Sequence, residues 1–353
     1  MAENAALTEQ PIAWFSEVGL ADRPSVGGKG ASLGELTRAG IAVPPGFVVT
    51  TSAFEMFLQA METRGPVRAR VADLDPSDLD AIRDVSQDLR RLVEEEPLPT
   101  HVEQAIAGAY AQLGEGGEPV AIRSSATTED ADEASFAGLQ DTFLWVMNAS
   151  DMIRRIRECW GSLYSLESIA YRRKHGLPEE GVAMGVVVQV MVDSRAAGVM
   201  FTRSPTTGDK SVITIEGAWG LGSAVVSGEV TPDRWVIGKI TGEISTRDIS
   251  DKHAMQVQAA GGGIHEVALD DDRRTQPCLS DEHLLTLREI GRKVERHYGK
   301  PQDIEWAVDQ AGQILLLQSR PETVWSTRDK NQPVKKPEGN PLNHVMTIFG
   351  GKK

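Results

Sequence analysis

QDIEWAVDQAGQILLLQSRPE, residues 302–322, decides the fold, because two alternating runs around a glycine-containing turn predict a β-hairpin. Side chains alternate along a strand, so Asp303 and Glu305 lie on one face and the apolar residues between them on the other. A turn at residues 309–312 would pair Glu305 with Leu316 and Asp303 with Gln318. Gln318 and Arg320 are therefore expected on the face of the two acids.

This polar face has two interpretations. Alternation usually means a solvated outer face. However, residues 314–317 are four apolar residues in a row, which indicates burial on both faces. Buried acids need a cation or a pairing partner. Two carboxylates with an amide oxygen suit a hard metal ion, and an adjacent arginine suits phosphate, so we take metal–phosphate chemistry as the working hypothesis.

Composition excludes several classes of protein. The chain has 353 residues, 40% hydrophobic and 25% charged, which is enough for two or three domains or lobes with a substantial core. A net charge of −14 argues against general binding to nucleic acid or to an anionic membrane. Two cysteines provide no disulfide framework, and the sequence has neither a signal peptide nor a membrane-length apolar run. A cytoplasmic protein is the expectation.

Patterns along the chain predict mixed strands and helices, hence an α+β protein with two lobes and a helical N-terminal part. We expect strands at residues 119–125, 186–192, 198–202 and 212–216, a glycine-rich loop at 217–222, and helices near 79–92, 100–113, 151–176 and 281–298. Ser77 is a candidate cap for the first of these helices, and Thr100 with Glu103 is a candidate capping box for the second. We assign residues 1–190 to an N-terminal lobe, 191–325 to a C-terminal lobe and 326–353 to a polar tail.

Two basic residues are candidates for phosphate contact. Lys29 lies among glycines just before a helix-like run, where backbone N–H groups and a helix N-terminus favour an anion. The surrounding sequence is not a Walker loop, and a simple turn lysine remains the alternative. Arg123 lies within a predicted strand, where pairing with an acid is as plausible as contact with phosphate.

An ordered set of motifs resembles one family, the N-terminal nucleotide-binding domains of phosphoenolpyruvate synthase, pyruvate phosphate dikinase and rifampicin phosphotransferase. The motifs are GGKGASLGE (27–35), VPPGF (43–47), IRSSAT (122–127), SFAGLQDT (135–142), GVMFT (198–202), QDIEW (302–306) and LQSRPET (317–323). The resemblance covers about residues 12–325. It implies an ATP-grasp fold in which two lobes clamp ATP and Mg²⁺.

The resemblance also implies roles for individual residues. Lys29, Arg123 and Arg320 would contact phosphates, and Gly138 with Gln140, Asp141 and Thr142 would form a loop over them. Gln189, Val190, Met191 and Val192 would line the adenine pocket. Glu305 and Gln318 would hold Mg²⁺, with Asp303 beside them. Catalysis would then consist mostly of positioning and charge neutralisation.

The family's carrier histidine has no counterpart in this sequence, since none of the seven histidines lies in its motif context. Either the chain is an excised domain, or a larger partner subunit carries the swivelling histidine domain and the acceptor-substrate domain. The second arrangement resembles phenylphosphate synthase, and implies that ATP yields AMP, phosphate and a phosphohistidine that later phosphorylates phenol. Pyruvate or an antibiotic is the alternative acceptor, and a non-catalytic nucleotide-binding module is the alternative function.

Overall fold

The computed structural model describes residues 9–114, 117–127, 141–323 and residue 325. Helices and antiparallel sheets both occur in this part of the chain, so the predicted α+β class is confirmed. Gly138, Gln140 and the tail from residue 326 lie outside the described residues. No helix among the described residues combines the length and the apolar character needed to cross a bilayer.

The first sheet has five antiparallel strands, in the order β1-β2-β5-β3-β4. The strands are β1 (Ile12–Trp14), β2 (Gly46–Val49), β3 (Val120–Ala126), β4 (Thr142–Val146) and β5 (Met184–Val190). The accompanying helices are α1 (Arg23–Arg38), α2 (Thr51–Glu62), α3 (Arg68–Ala72), α4 (Leu79–Glu95), α5 (Thr100–Gln112), α6 (Ala149–Gly161) and α7 (Leu166–Lys174). Phe54, Phe57 and Trp160 from α2 and α6 are fully buried against Ile122 and Val186 of the sheet. This apolar layer fixes β3 and β5, the strands that carry the candidate residues of the first sheet.

The second sheet has six antiparallel strands, in the order β13-β12-β6-β7-β8-β9. They are β6 (Ser194–Phe201), β7 (Val212–Trp219), β8 (Asp233–Gly238), β9 (Ile244–Asp248), β12 (Gln302–Asp309) and β13 (Ile314–Pro321). The connecting elements are α8 (Ser223–Val226), a separate hairpin of β10 (Ala254–Gln258) and β11 (Ile264–Ala268), α9 (Asp271–Arg274) and α10 (Asp281–Tyr298). Leu284 and Leu287 of α10 bury Trp235 and Trp306 on one face of the sheet. The opposite face is left for the cleft described below.

Helix α1 packs against both sheets. Its residues Val26 and Leu33 share a core with Val48 and Val187 of the first sheet, whereas Leu36 lies in the core of the second. The Ser32 hydroxyl donates to the Ser319 carbonyl of β13 over 2.5 Å. The backbone itself passes between the sheets over residues 191–193 only. A short linker and one shared helix thus hold the two halves together.

The hairpin of β12 and β13 has a different register from the expected one. Glu305 faces Gln318 and Asp303 faces Arg320, and the register shifts between Glu305 and Trp306 because Leu317 is an extra, bulged residue. The predicted pairs were therefore wrong. The predicted face was right, because the extra residue brings Gln318 and Arg320 back to the face that carries Asp303 and Glu305.

Four local predictions also needed correction. Asp78, not Ser77, caps α4 by accepting from the Ala81 N–H over 2.9 Å. Helix α5 begins at Thr100 itself and has no side-chain cap, so there is no capping box. The helix expected over residues 151–176 is divided into α6, a 3₁₀ turn at Ser162–Tyr164 and α7. The loop expected at 217–222 starts later, since β7 continues to Trp219.

Candidate functional site

A cleft of about 370 Å³ lies between the two sheets. Its lining combines apolar side chains, which include Leu144, Met191 and Leu221, with charged and amide side chains. Most of the expected site residues border it, namely Lys29, Arg123, Thr142, Gln189, Val190, Met191, Val192, Glu305, Gln318 and Arg320. Residues distant in sequence therefore meet in one place, and three of the polar ones, Arg123, Glu305 and Gln318, are in direct contact.

Lys29 is held at this cleft by a break in α1. Gly27 has a φ of +70°, and a Cβ added there would lie 2.0 Å from the Ser125 carbonyl oxygen. The Ser125 hydroxyl bridges the break by accepting from the Gly30 N–H over 3.1 Å and donating to the Val26 carbonyl over 2.8 Å. Lys29 was expected just before the helix but lies inside α1, two residues after the break, and its side chain is 4% exposed. A buried cation at a cleft surface is suited to an anionic ligand.

Arg123 connects the two sheets across the polar end of the cleft. Its guanidinium donates to the Leu317 carbonyl over 2.9 Å, to Glu305 Oε2 over 2.8 Å and to Gln318 Oε1 over 2.5 Å. The side chain is 11% exposed and that of Glu305 is 28% exposed, so the pair is partly shielded from water. Of the two interpretations of Arg123, pairing with an acid is the one present in this structure. Contact with phosphate stays a prediction.

Arg320 and Asp303 form the outer polar pair. Arg320 donates to Asp303 Oδ2 from Nε and is ion-paired with it through Nη2, each over 2.8 Å. Burial raises the pKa of Asp303, and the Glu305 carboxylate adds to this effect, although Arg320 opposes it. Arg320 is more than half exposed. It is the cation of the site that is most accessible to an incoming group.

Glu305 and Gln318 are the residues of the cleft that could hold a metal. They lie directly opposite each other in the ladder, and a side-chain oxygen of each accepts from Arg123. The described residues contain no cluster of three or more histidines, cysteines and acids able to bind a metal alone. One carboxylate and one amide oxygen nevertheless fit Mg²⁺, which commonly takes one or two protein ligands and completes its shell with water and substrate phosphates.

The linker side of the cleft is largely apolar. The N–H groups of Val190 and Met191 donate to the carbonyls of Pro45 and Pro119, each over 2.9 Å. Gln189 is 2% exposed, and its amide reaches the Pro44 carbonyl at 3.4 Å. Because these backbone donors are already used, a planar ligand here would be held mainly by the side chains of residues 189–192.

Of the loop expected over the phosphates, the structure describes Asp141 and Thr142. Thr142, the first residue of β4, lines the cleft. Asp141 is half-buried, and its carbonyl accepts from the Ser124 N–H over 3.1 Å. Burial raises the pKa of the Asp141 carboxyl. Gly138 and Gln140 lie outside the described residues.

Several cleft residues were missed by the sequence interpretation. Leu144, Ala197, Gly198 and the segment from Leu221 to Ser223 all border the cleft. Gly198 was quoted in a motif but given no role. A Cβ at Gly198 would lie 2.0 Å from the Glu216 carbonyl oxygen, so glycine permits the close strand approach there. The glycine-rich sequence at residues 217–222 was the signal that could have predicted the part of the cleft lined by Leu221 to Ser223.

Two sheets facing a cleft, with oxygen ligands on a hairpin of one sheet and cations on both sides, define a nucleotide-binding protein of the ATP-grasp class. The chain belongs to the family of the pyruvate phosphate dikinase AMP/ATP-binding domain, whose model matches residues 23–340. The fold and family predictions are thereby confirmed.

Relatives place this domain within longer proteins. The chain is 41% identical over 328 residues to a probable phosphoenolpyruvate synthase of Methanocaldococcus jannaschii, covering 92% of this chain and 28% of that protein. It is 42% identical over 310 residues to a rifampicin phosphotransferase of a Streptomyces species, covering 88% of this chain and 35% of that protein. Among solved structures, a D-cycloserine synthetase matches 81% of this chain and 59% of its own at 11% identity, with a TM-score of 0.27. The chain therefore spans about a third of the length of these two relatives.

Proposed function

We propose that this chain binds ATP with Mg²⁺ and passes the β-phosphoryl group to a histidine of a partner subunit. In the balanced half-reaction, ATP, water and the histidine give AMP, inorganic phosphate and phosphohistidine. The observation that carries this proposal is the convergence of Arg123, Glu305 and Gln318 in a cleft that is also lined by apolar side chains. A nucleotide needs both kinds of lining, because it joins a largely apolar base to a charged phosphate chain.

Each part of the cleft has a role in the proposal. Met191 and Val192 pack against the adenine, and Lys29 and Arg320 hold the phosphates. Glu305 and Gln318 hold Mg²⁺, which when bound neutralises charge on the phosphate oxygens. The Arg123 guanidinium, which donates to these two oxygens in this structure, would contact the phosphates instead in the complex. The carboxylate and the phosphates would then each have a cationic partner.

For the final acceptor we propose phenol, on the resemblance to phenylphosphate synthase. Pyruvate and a rifamycin-type antibiotic are the competing acceptors, and the names of the relatives support these two instead. The comparison requires the partner subunit, purified with this chain from its native host. Product formation with each of the three acceptors would then identify the substrate.

The test of the phosphoryl transfer uses ATP labelled with ³²P at the β-phosphate. We expect AMP as the product, and acid-labile label on a second polypeptide. Glu305→Ala and Gln318→Ala should lose both signals while retaining their fold by circular dichroism. ADP as the sole product would refute the proposed transfer. Tight ATP binding without label on the partner would favour the non-catalytic module.

A further inference from the structure

We propose that a second cavity, next to the nucleotide cleft, binds a small oxyanion such as phosphate or a carboxylate. The cavity measures about 140 Å³ and lies between β4, the start of β6 and the β10–β11 hairpin. Ser194 and Leu221 line both this cavity and the cleft, so the two spaces are neighbours. None of the residues assigned to ATP or Mg²⁺ above lines the second cavity.

Two arginines converge on this cavity without an acidic partner. Arg195 and Arg273 both line it and both are half-buried. Within residues 9–323 as described, neither guanidinium forms an ion pair or donates a hydrogen bond. The Arg273 guanidinium lies 4.5 Å from the Trp219 ring centroid, a contact that orients it and uses none of its N–H groups. Unpaired guanidinium groups in a partly buried space are costly, and a bound anion would offset this cost.

A third donor lies at the same cavity. The Trp145 side chain is 7% exposed, and its indole N–H is buried without an acceptor in the described part of the chain. The Arg195 Nε–H is also buried without an acceptor in that part of the chain. Buried donors are satisfied in most native structures, and an unsatisfied pair at one cavity indicates an absent acceptor. An oxyanion supplies acceptors only, so it matches donors from both side chains.

The charge of the lining also favours an anion. Among the lining residues that are described, Arg195 and Arg273 are opposed by one acid, Asp193. That carboxylate already accepts from the Gln310 amide over 3.2 Å. The guanidinium fork matches the oxygens of a carboxylate or a phosphate. The volume is less than half that of the nucleotide cleft, which restricts the ligand to a small ion.

Occupation of this cavity would be transmitted to the cleft through backbone hydrogen bonds. The Arg195 carbonyl accepts from the Gly220 N–H over 3.0 Å, and the Ser194 hydroxyl donates to the Gly220 carbonyl over 3.0 Å. Gly220 immediately precedes Leu221, which borders both spaces. An anion that fixes Arg195 would therefore restrain the loop that forms one wall of the cleft. Any such coupling is reciprocal, so the nucleotide would alter anion affinity by the same factor.

Equilibrium dialysis of the full chain with ³²P-phosphate, and separately with ¹⁴C-acetate, tests the proposal. A saturating non-hydrolysable ATP analogue with Mg²⁺ occupies the phosphate end of the cleft during the measurement. We expect one bound anion per chain. Arg195→Gln and Arg273→Gln should each weaken its binding at least about tenfold, the effect of losing roughly 1.4 kcal/mol. Whichever of the two probes binds more tightly identifies the source as a phosphate or a carboxylate.

Arg274→Gln is the matched control. Arg274 neighbours Arg273 on α9, but its guanidinium donates to both Asp251 oxygens over 2.8 and 2.7 Å and does not line the cavity. This variant should bind the anion as the wild type does. Circular dichroism and Arg195→Lys, which keeps the charge, separate loss of the site from loss of the fold.

Two results would overturn the proposal. One is a wild-type chain that binds neither probe, and the other is a folded Arg195→Gln variant with unchanged binding. If the ATP analogue itself fails to bind, the proposed nucleotide function fails independently. The phosphate measurement then uses Arg320→Gln as the background, because this variant removes a cation from the cleft and leaves the second cavity unchanged.

Discussion

Arg123 of the first sheet donates to Glu305 of the second sheet over 2.8 Å, and the same nitrogen reaches Gln318. The guanidinium thus lies between the two side chains proposed to hold Mg²⁺. It provides positive charge to oxygens that would otherwise face each other in a partly buried space. Arg123 and the metal are therefore expected to compete for the same two oxygens, and this competition is measurable.

Replacing Arg123 should shift metal and nucleotide binding in opposite directions. We expect Arg123→Met to bind Mn²⁺ more tightly than the wild type in the absence of nucleotide, because a competing cation is gone. It should bind the Mg²⁺ complex of a non-hydrolysable ATP analogue at least about tenfold more weakly, because a phosphate contact is lost. Electron paramagnetic resonance of free Mn²⁺ and calorimetry measure the two affinities.

Arg91→Met is the control for this pair of effects. Arg91 is 56% exposed on α4, pairs with Asp88 and Glu95, and does not line the cleft. It should change neither affinity. Equal Mn²⁺ binding by the wild type and Arg123→Met would contradict the competition while leaving the nucleotide site intact.

Glu305 is expected to be the dominant metal ligand. Glu305→Gln keeps the shape but removes the charge that Mg²⁺ prefers, so Mn²⁺ affinity in the presence of the ATP analogue should fall at least about tenfold. Asp309→Asn tests the specificity of this loss, because Asp309 is an acid of the same hairpin that accepts from the Gln313 N–H in the turn. Equal losses in both variants would point to general damage to the hairpin.

Gly27→Ala should destabilise the fold and displace Lys29. With φ +70° and ψ 177°, Gly27 lies in a region that is essentially restricted to glycine and costs another residue on the order of 1–3 kcal/mol, and the Cβ would also clash with the Ser125 carbonyl at 2.0 Å. Gly176→Ala is the control, because Gly176 also has a positive φ, +62°, but no atom lies within 4 Å of the added Cβ. Denaturant unfolding should show a larger loss for Gly27→Ala. Equal losses would mean that Ser125 moves aside without cost.

Stability should depend on pH through Glu35. Burial raises the pKa of Glu35, but hydrogen bonds from His297 and the Leu20 N–H outweigh it and leave the pKa below its usual value of 4.5. A lowered pKa in the folded state means that ionised Glu35 stabilises the fold above about pH 4.5, and that this stabilisation is lost as the pH falls through the folded-state value. Glu35→Gln should be less stable than the wild type at pH 6, with the difference shrinking as the medium becomes acidic.

Urea unfolding at several pH values between about 3 and 6, which span the usual pKa of a glutamate, measures this difference. Glu103→Gln, at an exposed position in the first turn of α5, is the control and should show a small difference that varies little with pH. A constant difference between wild type and Glu35→Gln across the range would show that the His297 contact does not depend on ionisation.

The sequence predicted which segments are helices or strands, and which of their faces are apolar, better than it predicted contacts between individual residues. Helix α10 was expected at residues 281–298 and has those bounds, because it combines strong amphipathic spacing with a serine cap at Ser280. Helical spacing and alternation both report which side of an element is apolar, and burial follows directly from that side.

The sequence patterns could not predict the register of the strands or the side-chain pairs between distant parts of the chain. Strand alternation has a period of two, so it specifies a face but cannot detect one inserted residue. The partners of Arg123 are separated from it by 182 and 195 positions and are chosen by packing of the two sheets. The β10–β11 hairpin was missed because its side chains are mostly exposed or half-buried, which leaves no clear apolar face to recognise.

The bulge at Leu317 makes the proposed site depend on the length of the hairpin. Because Leu317 is the extra residue of the bulge, deletion of this single residue would turn Gln318 and Arg320 toward Trp306 and leave the strand composition almost unchanged. Arg123 also donates a hydrogen bond to the Leu317 carbonyl. A one-residue deletion here would therefore displace the proposed metal ligand, the outer arginine and a contact between the sheets together, whereas most point substitutions would remove only one of them. Among homologous sequences, the spacing between Glu305 and Gln318 should consequently vary less than the identity of the residues between them.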